Sequence, residues 1–173
     1  MKRASYSKFV LDRICLLLIF LSSSSIIFAQ SALDSAKLKN LHGKIQTFAQ
    51  ITQKDTMVLI CFWATYSDPS IAELNAINQR YEQWQAGLKF RLMIVAIDEA
   101  KTWGKIRPMV NMNGWTFDVY TDINGDLKKA LHADNLPESM ILKKGKLIYQ
   151  QSGYETGSEN YLFQKLISLS NTK

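Results

Sequence analysis

Ser67, Ser70 and Glu73 follow one another at intervals of three residues, directly after a long apolar run. On a helix, residues three apart share a face, so two hydroxyls and a carboxylate would line up along its first turns. A serine hydroxyl is a weak nucleophile until a neighbouring base takes its proton. The chain has two histidines, His42 and His132, and neither is near Ser67 in sequence. A Ser–His–acid arrangement therefore requires the fold to bring one of them there. Thiol chemistry has less to work with. Cys15 lies in an apolar N-terminal stretch and Cys61 in the middle of the apolar run, where a cysteine is usually a small buried hydrophobe. Two histidines and a cysteine without close spacing are no metal-ligand pattern, so neither metal nor cofactor is expected.

The elements that must position these groups can be read from periodicity. Met57 to Trp63 is unbroken, apolar and rich in branched and aromatic residues, which predicts a strand buried on both faces. Polar residues begin at Thr65. Ser67 is a good N-cap, Asp68 puts negative charge on the positive end of the helix dipole, and Pro69 is tolerated in a first turn. Ser70 and Glu73 also have capping-box spacing, so the helix could begin at either serine, with Glu73 as the reciprocal cap. The helix is predicted to run to about Gln85, with Ile71, Leu74, Ile77, Tyr81 and Trp84 as its inward stripe and Glu73, Asn75, Arg80 and Glu82 outside it. Lys89 to Ile97 reads as a second buried strand, and the long crossover makes the two strands parallel.

Further on, Lys101 to Met112 predicts a helix that Gly104 and Pro108 distort or restart. Phe117 to Thr121 predicts a strand, Asp126 to Ala133 a short helix, and Ser139 to Leu142 and Leu147 to Gln151 an antiparallel pair about the Lys143–Lys146 turn. A final helix spans about Ser158 to Leu169, with Tyr161, Phe163, Leu166, Ile167 and Leu169 inward. At the other end, Leu41-His42-Gly43-Lys44 is a hairpin turn, and Gln30 to Lys39 a polar, loosely ordered start.

Before that start, Lys2, Arg3, Lys8 and Arg13 precede an apolar segment that Ser22 to Ser25 interrupts, and Ala29 offers a small residue before Gln30. That is a signal-peptide pattern over residues 1–29, leaving one domain over 30–173. The serines shorten the apolar span below the roughly 20 residues a membrane helix needs, so cleavage is favoured over an uncleaved anchor. Half of the formal charge of +6 belongs to this leader. The remaining 17 basic and 14 acidic residues form no block of one sign, which gives no reason to expect nucleic acid or an anionic membrane as a partner. A cleaved leader implies a periplasmic or secreted protein. It also leaves Cys61 without a partner for an internal disulfide.

FWATYSDPSIAEL, residues 62–74, resembles the active-site stretch of the thioredoxin superfamily. It is most similar to the extracytoplasmic TlpA-type, ResA-like thiol-disulfide oxidoreductases related to the AhpC/TSA redoxins. Their pattern is F-W-A-T-W-C-x-P-C-x-x-E-L. This chain keeps Phe62, Trp63, Ala64, Thr65, Pro69, Glu73 and Leu74, has Tyr66 for the tryptophan, and has Ser67 and Ser70 for both cysteines. Gly114-Trp115-Thr116-Phe117 with Asp122-Ile123-Asn124-Gly125-Asp126-Leu127, the Leu136-Pro137 pair and Gly145-Lys146-Leu147-Ile148-Tyr149 extend the resemblance over nearly the whole mature chain.

The resemblance implies an α/β, thioredoxin-like fold: a central mixed sheet flanked by helices, with an N-terminal β-hairpin and an inserted strand–helix. It implies a cis bond before Pro137, and that the backbone before this proline pairs with an extended peptide. Trp63, Tyr66, Pro69, Leu136 and Pro137 would then line a shallow groove suited to β-augmentation. In the family the helix N-terminus lowers a thiol pKa, the thiolate attacks a disulfide and the second cysteine resolves it. Serines at 67 and 70 can do neither. The resemblance gives Glu73 a part in proton movement at the missing thiol, whereas the residues themselves suggest a cap. The expectation is a redox-inactive binder of an extended peptide or protein client, not an enzyme. The alternatives are single-thiol chemistry at Cys61, hydrolytic or isomerase activity at Ser67, and a purely structural partner module.

Overall fold

The computed structural model of the chain describes residues 31–52 and 57–171. The leader and the proposed cleavage point lie outside them. A seven-stranded mixed sheet runs through the molecule, in the order β2-β1-β5-β4-β3-β6-β7. Its strands are β1 Lys37–Asn40, β2 Ile45–Thr47, β3 Met57–Trp63, β4 Arg91–Ala96, β5 Asp118–Asp122, β6 Glu138–Lys143 and β7 Lys146–Ser152. β3, β4 and β5 are mutually parallel, and β6 and β7 return antiparallel at one side. On the other side β1 is antiparallel to both β5 and β2. The expected hairpin is present: Gly43 takes φ +86°, and the Asn40 side-chain oxygen accepts from the amides of His42 and Lys44.

Every residue of β3 is buried, as its unbroken apolar run demands. Period-two alternation divides it between two cores. Leu59, Cys61 and Trp63 face one, together with α3 (Asp68–Asn78), α4 (Tyr81–Gly87), α5 (Ile106–Met112) and α7 (Ser158–Ser170). Val58, Ile60 and Phe62 face the other, with α1 (31–35), α2 (Phe48–Ile51) and α6 (Asp126–Leu131). Each fully buried Leu, Ile or Phe removes enough apolar surface from water to contribute about 1.5–3 kcal/mol. No helix among the described residues is long and apolar enough to cross a membrane.

Three local expectations are corrected. The helix expected from Ser67 to Gln85 is two, broken at Gln79-Arg80. Neither Gly nor Pro causes the break. Arg80 is held by α7 instead, donating to the Asn160 side-chain oxygen at 2.7 Å, and beyond it Trp84 stacks on Phe163 with ring centroids 4.8 Å apart. Tyr81 meets Phe90 and Phe117 edge-on. The start of the domain is also more ordered than its polar composition suggests: α1 and β1 bury Leu33, Ala36 and Leu38. In α7 the inward positions include Leu162 and Glu159, while Tyr161 is 55% exposed. The stretch from Lys101 to Met112 does restart, as a 3-10 turn over Ala100–Lys105 followed by α5, whose third residue is Pro108.

Trp115 ties the larger core together. Its ring meets Trp63 edge-on at 5.0 Å and stacks on Phe117 at 5.8 Å, and its indole N–H donates to the Asn75 side-chain oxygen at 2.8 Å. Trp115→Ala is expected to cost about 3–5 kcal/mol, read as a lower urea midpoint with an unchanged slope. A loss below 1 kcal/mol would show that this cluster does not carry the core.

Candidate functional site

The strand β3 ends at Trp63, and the chain turns through Ala64, Thr65 and Tyr66 into α3. Ser67 N donates to Ala64 O at 3.0 Å, which closes that turn. Asp98, just beyond the parallel strand β4, fixes it from the side: its carboxylate accepts the Thr65 amide at 3.0 Å and the Thr65 hydroxyl as well. Asp98 is 4% exposed. Sequence reasoning missed it because its partner lies 33 residues away, although an acid closing a buried strand was a visible signal.

Ser67 is the N-cap of α3, but its hydroxyl does not cap the backbone. It is 2.7 Å from the Ser70 hydroxyl, so the two serines hydrogen-bond to each other across one turn. Ser70 is fully buried and Ser67 half-buried. Tyr66, 69% exposed, and Pro69 stand outward beside them. Neither histidine joins the pair. His42 is in the β1–β2 turn, and His132 caps α6, which packs on the opposite face of the sheet from α3. Among the described residues, no histidine lies against Ser67 to activate it.

Glu73 is neither a cap nor a solvent-facing residue, which corrects both expectations. It is 1% exposed, and its Oε1 lies 3.1 Å from the hydroxyl of Ser139 on β6. The same hydroxyl is 3.3 Å from Cys61 Sγ. A hydroxyl has one proton to give. Ser139 therefore donates to Glu73 or to Cys61, one at a time, and the three groups form one cluster across α3, β6 and β3. Burial, followed by the negative charges of Glu138 and Glu159 and opposed by the Ser139 hydrogen bond, pushes Glu73 from an ordinary 4.5 to about 7. Burial, with Glu73 nearby, pushes the Cys61 thiol up too, which disfavours its thiolate.

Across from this end of β3, the Leu136–Pro137 bond is cis. Phe62 pairs with Glu138, so the register carried one residue further sets Pro137 opposite Trp63, beside the turn into α3. Pro137 is buried and Leu136 half-buried; Pro137 O accepts from Gly153 N at 2.8 Å. Glu138, buried on β6, accepts from the Ser152 hydroxyl at 2.7 Å and the Gln150 amide at 2.9 Å. Of the expected groove residues, Tyr66, Pro69 and Leu136 present surface. Trp63 does not: it is fully buried in the core against Trp115, so its place is structural. The alternation along β3 turns it inward, a consequence its position in the motif concealed.

The raised Glu73 value makes stability depend on pH. Between about 4.5 and 7 the folded state holds a proton that the unfolded chain has released. Stability from this group is therefore full below 4.5, falls as pH rises to about 7, and is level above that, a loss of roughly 3 kcal/mol in all. Glu73→Gln is expected to flatten that decline relative to the native chain in urea titrations at pH 4.5, 6 and 8. Parallel curves for the two proteins would refute the assignment.

The fold that carries this site is shared with known proteins. A thioredoxin-like protein from Porphyromonas gingivalis, solved in solution, is 35% identical, with 79% of this chain and 90% of that chain covered and a TM-score of 0.69. StoA from Bacillus subtilis is 20% identical, covering 74% of this chain and 94% of its own, with a TM-score of 0.60. A secreted disulfide oxidoreductase from Mycobacterium tuberculosis, homologous to E. coli DsbE, is 14% identical, covering 80% and 98%, with a TM-score of 0.63. The last two are similar in fold alone, and all three bear out the thioredoxin-like architecture. No curated protein matches the chain. The AhpC/TSA family matches residues 29–152, well over half of the sequence, and with the fold and the site in place the conclusion is that this chain belongs to the AhpC/TSA family.

Proposed function

We propose that this protein is an exported, redox-inactive thioredoxin-fold binder, which holds an extended peptide or protein client beside its cis-proline. The observation that carries this reading is the Ser67–Ser70 hydroxyl pair, 2.7 Å apart, at the position where the family resemblance calls for a dithiol. The surface around the pair is intact: the turn clamped by Asp98, the exposed Tyr66 and Pro69, and the cis Leu136–Pro137 bond. Extended segments bind such edges through main-chain hydrogen bonds, which need backbone geometry and no sulfur. Export rests on the leader-like residues 1–29, and the similar Mycobacterium tuberculosis protein is described as secreted. A TlpA-type ancestry accounts for Glu73, a buried acid kept next to serines that have no use for a proton acceptor.

Serine hydroxyls supply no thiolate and cannot exchange disulfides. Insulin reduction by dithiothreitol is expected to run at the uncatalysed rate with the protein present, and clear turnover would contradict the proposal. The double variant Ser67→Cys with Ser70→Cys is expected to regain measurable turnover, because the helix start and the neighbouring acid remain. In binding, Tyr66→Ala is expected to weaken a cysteine-free extended peptide about tenfold, about 1.4 kcal/mol. Unchanged affinity would place the client elsewhere.

The rival reading, single-thiol chemistry, must work through Cys61. That thiol has no exposed surface and sits inside the Ser139–Glu73 cluster. Thiol labelling of the native protein is expected to be negligible until denaturant unfolds it, whereas rapid labelling under native conditions would revive the enzyme reading.

A further inference from the structure

A cavity of about 440 Å³ opens beside the cis-proline, lined by Gln151, Ser152, Tyr154, Glu155, Ser158 and Tyr161. We propose that this cavity is a subsite for a lysine or arginine side chain of the client, an inference that rests on the peptide-binding reading above. Its position follows from one hydrogen bond. Gly153, in the cavity wall, donates to Pro137 O at 2.8 Å, so the wall is hydrogen-bonded to the cis-proline itself and adjoins the place proposed for the client.

The chemistry of the walls selects a cation. Two of the lining hydroxyls are anchored on buried carboxylates: Ser152 donates to Glu138 at 2.7 Å, and Tyr154 donates to Glu159 at 3.2 Å. Glu138 is 1% exposed and Glu159 5%. Glu155 adds an exposed carboxylate in the wall itself, and it has no ion-pair partner among the described residues. Carboxylates behind low-dielectric walls focus a negative potential into the opening. Tyr161, 55% exposed, offers a ring face for an ammonium or guanidinium. The protein's own Lys165 already uses that ring, with Nζ 5.2 Å from its centroid and 5.6 Å from that of Tyr149. Lys165 and Arg80, which lies 3.9 Å from Glu159, oppose the field.

These placements assign opposite signs to three substitutions. The probes are dye-labelled, cysteine-free octapeptides in a Val/Ser frame, carrying one Arg or one Glu walked through the central positions, titrated against the full-length chain. The formal charge is +6 with residues 1–29 and +3 without them, so unspecific attraction favours the Glu peptides in either form and a preference for Arg can come only from a local site. At one position the Arg peptide is expected to bind at least fivefold tighter than its Glu counterpart. Glu155→Gln and Tyr161→Ala are each expected to shrink that ratio about threefold, and Lys165→Met to enlarge it. Equal binding of Arg and Glu peptides at every position overturns the subsite and leaves the peptide-binding reading standing. A ratio that none of the three substitutions moves also overturns it. Absence of binding by every peptide overturns both.

Discussion

One serine hydroxyl, that of Ser139, joins three elements of this fold at its buried centre. It lies on β6 within hydrogen-bond reach of Glu73 on α3 and Cys61 on β3. Through it the N-terminal half of the helix is held against the strand that the cis-proline leads into. The Ser139 hydroxyl favours the ionised carboxylate and burial opposes it. A buried carboxylate beside two others is costly when ionised, and burial accordingly holds Glu73 protonated up to about neutral pH. The same arrangement that fixes the helix start thus makes its stability sensitive to pH, and it leaves the only described cysteine sealed in the core.

From that centre the external site follows by geometry. β3 delivers the chain to Trp63 between two hydrogen-bonded neighbours, β4 and β6. Asp98 at the end of β4 clamps the turn, and Pro137 at the start of β6 flanks it. Neither neighbour involves Ser67 or Ser70. The thiol pair of the resembling enzymes could therefore be replaced by serines without disturbing the surrounding backbone, and the two hydroxyls satisfy each other. The proposed strand binding rests on this backbone and not on any disulfide exchange.

Much of the fold was legible because it is written in local patterns. The apolar run of β3 and the Asn40–Lys44 turn each carry their own signal, the family resemblance implied the cis bond before Pro137, and each stands where expected. The site was legible in its outline and less so in its interior. Helical periodicity sent Glu73 outward because carboxylates normally face water, but its partner Ser139 lies 66 residues away and turns it inward. Trp63 was assigned to the groove by its motif, whereas strand alternation buries it. The break at Arg80 has no local cause either, since its anchor, Asn160, lies 80 residues on. Partners distant in the chain are what a single sequence does not display.

The central claim is that the backbone around the cis-proline grips an extended segment without sulfur chemistry. Amide NMR of the labelled protein, titrated with a cysteine-free Val/Ser octapeptide, tests it most directly. The account predicts the largest shifts at Tyr66, Leu136 and Gly153, with the β1–β2 hairpin unmoved. Saturable binding whose shifts fall on that hairpin, or no shift at Leu136 at saturation, would contradict it.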